Sequence, residues 1–395
     1  MDTYAGFENN LKNIKDKHLL RSLNQITSRQ RKYIHINNRN CLNLSSNDYL
    51  GLATDKTLIQ NFYKGMDESN LIDDFGLGSS SSRLLAGNFR LYSTLESYLE
   101  NLYQCKSVLV FNSGYHANLG MIPVLAQEGD LILSDSLNHA SIVDGIRLSK
   151  ARCQIFKHND MESLESILKR VRSRFQRVLI ITESVFSMDG DLADLEELVR
   201  IKSEYDALLY VDEAHSVGVY GEQGLGLCEE TGTIGKIDVM LGTMGKALAS
   251  HGAYAVTKQV VKELLVNQMR SLLYTTALPP VAINWNLYVM THLKNFGKQR
   301  HQLKKVSALF KQALIKEGLM TPGDSHIIPV LTYENENAVR LSQILQEAGF
   351  LAYPIRPPTV PKDQSRIRIS LTADMEFDDI KDLPKLIKQE LDKKR

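Results

Sequence analysis

Cysteine is scarce. Four occur in 395 residues (Cys41, Cys105, Cys153 and Cys228), at separations that match neither a metal-ligand set nor a redox pair. That excludes a disulfide-stapled secreted domain and predicts reduced thiols in a cytoplasmic protein with no metal centre. An excess of one charge is lacking too: 47 basic residues against 46 acidic ones leave a net charge of +1, which gives no electrostatic case for nucleic acid. The basic end, Lys393-Lys394-Arg395, is too short to reverse this and reads as a solvated terminus. No apolar run approaches the roughly 18 residues needed to cross a bilayer, so no membrane partner is expected. Met1 to Lys17 mixes Asp, Glu, Lys and Asn and lacks the apolar centre of a secretory signal. Repeats and low-complexity linkers are absent as well, Ser79-Ser-Ser-Ser82 being too short to count.

What remains is an ordinary globular composition, 43% hydrophobic and 24% charged, in a chain long enough for two or three domains. Residues 1–41 predict a helical arm followed by a hairpin or loop, with Phe7, Leu11, Ile14, Leu19, Leu20 and Leu23 at near-helical intervals. Such an arm has too little apolar surface to stand alone and should pack on the main body or on a second subunit. Residues 42–282 predict the large domain. Its apolar runs Ser107–Phe111, Leu131–Leu133, Gln154–Phe156, Val178–Ile181, Leu208–Val211 and Val239–Leu241 are continuous, as strands buried on both faces are. Amphipathic helices separate them, one over Asp191 to Tyr205 and one capped by Asn159-Asp160. The alternation, at about 25 to 30 residues per unit, implies a mostly parallel, doubly wound α/β sheet with ligand chemistry at the loops after the strands. Pro279-Pro280 marks a boundary, and residues 283–395 predict a smaller carboxyl-terminal αβ domain.

The chemistry gathers at those loops. In Asp238-Val-Met-Leu-Gly-Thr-Met-Gly-Lys-Ala-Leu248 a buried strand breaks at glycine and delivers Lys246. A Walker loop would need Gly at 240 and Ser or Thr at 247, where Met240 and Ala247 stand. Asn112-Ser-Gly-Tyr-His-Ala-Asn118 is a glycine turn opening a helix, suited to seat a phosphate. Ser134 to Ser141 places His139 early in a helix, where an imidazole can stack on a planar ring. Asp212, closing an apolar strand in Asp212-Glu-Ala-His215, calls for a cationic partner, a place open to a buried arginine or a magnesium-type metal as well as to an organic cation. A pyridinium nitrogen serves, with His215 in reach of the ring's phenolic oxygen. A strand-end carboxylate followed one βαβ unit later by a strand-end lysine is what a Schiff-base cofactor, pyridoxal phosphate, needs.

The same residues carry a family resemblance. Leu42-Asn-Leu-Ser-Ser-Asn-Asp-Tyr-Leu-Gly-Leu52, Asn112-Ser-Gly-Tyr115, Asn138-His-Ala-Ser141, Thr182-Glu-Ser-Val-Phe-Ser-Met-Asp-Gly190, Val211-Asp-Glu-Ala-His215 and Thr243-Met-Gly-Lys246 resemble, in order, segments of the α-oxoamine synthases. These are fold-type I pyridoxal phosphate enzymes that join an amino acid to an acyl thioester with loss of carbon dioxide. The resemblance implies a fold-type I transferase with a seven-stranded sheet, acting as a homodimer. Tyr274-Thr-Thr-Ala-Leu-Pro-Pro280, Ile355-Arg-Pro-Pro-Thr-Val-Pro361 and Arg366-Ile-Arg-Ile-Ser-Leu-Thr-Ala373 look most like the members that use L-alanine and a pimeloyl thioester, carried on coenzyme A or on an acyl carrier protein.

By the same resemblance, Lys246 would hold the cofactor as a Schiff base and move the substrate proton, and Asp212 would bind the pyridine nitrogen. His215 and Ser187 would bind the ring-oxygen side, and His139 would stack on the ring and meet the substrate. Gly114, Tyr115 and Thr243 would hold the cofactor or its phosphate, with Thr276 reaching it from a neighbouring subunit. Asn47 and Arg368 would meet the amino acid, and Arg21 and Thr359 would lie along the acyl thioester. One departure stands out: the loop Gly76-Leu-Gly-Ser-Ser-Ser-Ser-Arg-Leu-Leu-Ala-Gly87 has serines where the family often has glycine, which leaves its contacts open. Three other readings remain open. A glycine-using 2-amino-3-oxobutyrate ligase or long-chain acyltransferase shares every cofactor residue. A non-catalytic partner subunit should lack the lysine. A dinucleotide-binding dehydrogenase is only half matched by Gly76, Gly78 and Ser81.

Overall fold

A computed structural model describes residues 3–104 and 107–393. Cys105, Lys394, Arg395 and Met1 therefore lie outside the described residues. The chain forms two compact units: Met1–Thr54, Met188–Asp191 and His301–Arg395 make one, and Asp55–Ser187 with Leu192–Arg300 make the other.

The second unit is built on a seven-stranded sheet in the order Ser107–Phe111, Ala253–Thr257, Val239–Thr243, Leu208–Asp212, Val178–Glu183, Leu131–Asp135, Arg152–Phe156. Ala253–Thr257 runs antiparallel to both neighbours; the other pairings are parallel. This is the mostly parallel, doubly wound fold-type I sheet that the continuous apolar runs and the family resemblance predicted. Every residue of Ser107–Phe111, Leu131–Asp135, Val178–Glu183 and Val239–Thr243 is buried, as in strands covered on both faces. Arg152–Phe156, one of the two edge strands, departs from the expectation of two buried faces: of its side chains only Phe156 is buried.

The helices start where their caps put them. Asp160 accepts the Ser163 N–H and opens Met161–Val171, which buries Leu164, Ile167, Leu168 and Val171. The helix expected from Asp191 begins only at Leu195, because Asp194 takes the capping role and Leu192 pairs instead with Val185 in an isolated bridge.

In the first unit, the helix Ala5–Asp16 buries none of its residues. It ends before Leu19 and Leu20, since Lys17 closes it and His18 takes a positive φ of 54°. An antiparallel meander follows, Ile26–Gln30, Tyr33–Ile36 and Arg39–Asn43, joined in parallel by Phe350–Leu351. In a second sheet Ser365–Ser370 lies between Ile327–Tyr333 and Pro354–Ile355, against the helix Asn335–Glu347.

Candidate active site

Lys246 reaches its position through a tight reversal. After Val239–Thr243 the chain turns back through Gly252, with Met244 N–H donating to the Gly252 carbonyl at 2.9 Å and Ala249 N–H donating to the Lys246 carbonyl at 2.9 Å. Thr243 is nearly buried; its hydroxyl donates to the Gly252 carbonyl (3.2 Å) and accepts from Gly245 N–H (3.3 Å). The half-buried Lys246 amine lies 2.8 Å from Nε2 of buried His215. An imidazole nitrogen that carries its lone pair accepts from an ammonium, so this contact helps to hold the lysine in place.

Asp212 ends the neighbouring strand. Its carboxylate is buried and is met by neutral donors: Ala214 N–H on Oδ1 at 2.9 Å and the Asn118 amide on Oδ2 at 2.8 Å. Among the described residues no lysine or arginine forms an ion pair with it. A buried carboxylate of this kind is unfavourable without a positive partner.

His139 caps the helix Ala140–Leu148, its backbone N–H donating to Glu183 Oε1 at 2.6 Å. Desolvation lowers the pKa of the ring, opposed by Asp212 and reinforced by Lys246, so the imidazole is neutral. Ser187 is buried at the end of the same strand-loop segment. The helix Gly114–Leu125 opens at Ser113, whose hydroxyl accepts His116 N–H, and a Cβ on Gly114 would meet nothing within 4 Å. Backbone N–H groups at the start of a twelve-residue helix, facing open space, fit a phosphate. Tyr115 donates its hydroxyl to Asp144, and Asn112 ties this turn to the Thr276 carbonyl at 2.6 Å. The second unit thus brings Gly114, Tyr115, His139, Ser187, Asp212, His215, Thr243, Lys246 and Thr276 into one body. An amine, a buried carboxylate with no ion-pair partner among the described residues, an imidazole and a helix N-terminus that fits a phosphate suit the groups of pyridoxal phosphate.

Arg21, Asn47, Thr359 and Arg368 all fall in the first unit. Arg368 Nη2 donates to Asn47 Oδ1 (3.2 Å) and to the hydroxyl of fully buried Tyr49 (3.1 Å), while its buried Nε has no partner. Arg21 reaches Thr359 Oγ1 at 3.4 Å and the Pro357 carbonyl at 3.5 Å, and Arg356 ties the same loop to the His18 and Leu20 carbonyls.

The class I and II aminotransferase family model matches residues 39–386. An 8-amino-7-oxononanoate synthase of Chlorobaculum parvum is 47% identical over 93% of this chain and 94% of its own length. The chain belongs to the class I and II aminotransferase family. A putative 8-amino-7-oxononanoate synthase of Haemophilus influenzae, also similar, is 46% identical over 95% of this chain and 98% of its own. Solved structures agree on the fold. A Sphingomonas wittichii serine palmitoyltransferase superposes with a TM-score of 0.89 at 30% identity, covering 99% of this chain and 98% of that one. The 8-amino-7-oxononanoate synthase of Francisella tularensis does so with 0.74 at 27%, covering 90% and 98%.

Within this aminotransferase fold the serine-substituted loop is anchored by side chain and backbone. Ser79 donates to the Ala277 carbonyl at 2.6 Å, Ser81 Oγ accepts Ala86 N–H at 3.0 Å, and Ala277 N–H donates to the Ser81 carbonyl at 2.9 Å. Sequence reasoning gave no role to Asn118, Ser141, Glu183 or Tyr210, all buried around Asp212 and His139. The signal for Asn118 was a lone amide among Ala117, Met121 and Ile122 on the buried face of an apolar helix.

Proposed function

We propose that this chain is a cytoplasmic, pyridoxal phosphate-dependent 8-amino-7-oxononanoate synthase. It condenses L-alanine with a pimeloyl thioester, releasing carbon dioxide and the thiol of coenzyme A or of a carrier protein, in biotin biosynthesis. The carrying observation is the buried Asp212 carboxylate, without an ion-pair partner among the described residues, on the strand next to the one that leads to Lys246, in a chain 47% identical to a synthase of that name. The serine palmitoyltransferases superpose more closely, yet acyl-chain choice is made by side chains, so the higher sequence identity outweighs the shape match.

Bound in this site, the cofactor supplies an aldehyde for the substrate amine and an electron-withdrawing ring. Asp212 would keep a proton on the ring nitrogen. Gly114 and Tyr115 N–H groups and Thr243 would hold the phosphate, joined by Thr276 of a second subunit. His215 and Ser187 would hold the ring-oxygen side, with His139 against the ring. Lys246 would tether the group and, as a neutral amine, serve as the base that takes the Cα proton of alanine and later returns one. Arg368, kept in orientation by Asn47 and Tyr49, receives the amino-acid carboxylate. Arg21 and Thr359 line the acyl thioester. A homodimer is supported by the uncovered apolar residues Phe7, Leu11, Leu71, Ile72, Leu77, Leu84 and Leu85.

Coenzyme A release tests the reading. Turnover is expected with L-alanine and pimeloyl-CoA, and a preference for glycine with acetyl-CoA would transfer the assignment to a 2-amino-3-oxobutyrate ligase. Lys246→Ala should lose both turnover and the visible absorbance of the lysine-bound cofactor.

A further inference from the structure

Behind Asp212 and His139 lies a buried hydrogen-bond chain whose direction can be worked out from one end. Tyr210 is fully buried, and its hydroxyl lies 2.6 Å from Asn118 Oδ1. Burial, followed by the charge of Asp212, lifts that phenol well above its usual pKa, so it is always a donor. The Asn118 oxygen is therefore committed to Tyr210, and both amide hydrogens point the other way. One goes to Asp212 Oδ2 at 2.8 Å and the other to Ser141 Oγ at 2.9 Å. Since Ser141 Oγ accepts from Asn118, its own hydrogen is left for His139 Nδ1, 2.8 Å away. The Ser141 backbone N–H also donates to Nδ1, at 3.2 Å. Two donors converge on Nδ1, so it carries the lone pair, and the ring proton of neutral His139 sits on Nε2.

We infer that Asn118 is a positioning residue, a single amide that both aims the Asp212 carboxylate and sets the tautomer of His139 through Ser141. The inference rests on the proposed function for its catalytic consequence. Its structural part, the tautomer, stands without it.

Three elements converge to make this possible. Tyr210 and Asp212 are two apart on one strand and so share a face of the sheet. Asn118 projects from Gly114–Leu125 and Ser141 from Ala140–Leu148, and these helices approach so closely that a Cβ on Gly145 would come within 2.5 Å of the Asn118 carbonyl. No member of the chain is more than slightly exposed except His139, so water does not substitute for a missing link. The ring-nitrogen partner and the ring-stacking imidazole thus depend on one side chain, which touches neither cofactor nor substrate.

The test uses two variants of the full-length protein, Asn118→Leu, of similar volume without polar atoms, and Tyr210→Phe, which removes only the oxygen that orients the amide. Histidine 15N spectra of the apoprotein are expected to show His139 as a single Nε2–H tautomer in the wild type and as a mixture in both variants. In the holoenzyme, kcat should fall about 10- to 100-fold in Asn118→Leu and less in Tyr210→Phe, with KM for L-alanine changed less than about threefold. The pH midpoint of the bound cofactor's visible absorbance should move in both. An unchanged His139 tautomer in the variants overturns the inference, and so does a shifted tautomer with wild-type kcat and absorbance midpoint. If Asn118→Leu does not fold, Tyr210→Phe alone decides, since its ring packing is retained. A wild type inactive with alanine refutes the proposed function, while the apoprotein spectra still decide the tautomer.

Discussion

Glu183 stands directly across from Asp212 in the parallel ladder, fully enclosed, with one oxygen accepting the His139 N–H. Burial first and the Asp212 charge second push its carboxyl up to about 8, so near neutral pH it is an uncharged acid. Its folded pKa lies above the ordinary value of 4.5, so the folded state holds the proton more tightly than the unfolded one. That contribution to stability is complete below pH 4.5 and is lost as pH rises to about 8. Urea midpoints of the apoprotein should therefore fall across this window in the wild type relative to Glu183→Gln, whose neutral amide still accepts from His139. Parallel pH slopes in the two proteins would refute the assignment. Arg368 allows a second residue-level prediction. Lysine keeps the charge but loses the planar fork, so Arg368→Lys should raise KM for L-alanine by about tenfold and leave KM for the thioester unchanged. Asp212 and Lys246 were legible in the sequence because a charge ending an apolar run is conspicuous. Glu183 was not, because its proton is set by a neighbour on another strand.

The element that sequence periodicity missed is Ala253–Thr257. It breaks the βαβ spacing: the Met244–Gly252 connection is too short for a crossover helix, so the chain can only return antiparallel. Its Tyr254 pairs with Gly242, where a Cβ would come within 2.4 Å of the phenol ring. The glycine read as a turn residue therefore serves instead as room for a buried ring, whose hydroxyl meets Tyr103 at 2.6 Å. Gly242→Ala should destabilise the fold by about 1–3 kcal/mol in urea unfolding and weaken cofactor retention, since the strand that carries Lys246 must shift. The six other strands were visible because continuous runs such as Val178–Glu183 need both faces covered. The fate of Arg152–Phe156 as an edge depends on strand order, which no local run encodes.

For the whole molecule, two of the places where exposed apolar side chains gather are the helix Ala5–Asp16 and residues 71–85. The second patch is held in shape by the Ser79 and Ser81 bonds to Ala277, so it presents a defined surface. Sedimentation should find the wild type as a dimer, and Ile72→Asp with Leu85→Asp should shift it to monomer and abolish turnover by withdrawing Thr276 from the neighbouring phosphate. The position of Ala253–Thr257 also has a consequence in time. Ser107–Phe111 is an edge strand whose one sheet partner is Ala253–Thr257, so the strand that leads into the Gly114 turn cannot join the sheet until residue 257 has left the ribosome. At ordinary translation speeds that delay is on the order of ten seconds. A nascent chain that already carries His139, Asp212 and Lys246 must therefore wait for the return strand before it can retain a phosphate, and cofactor capture becomes a late event in the making of the protein.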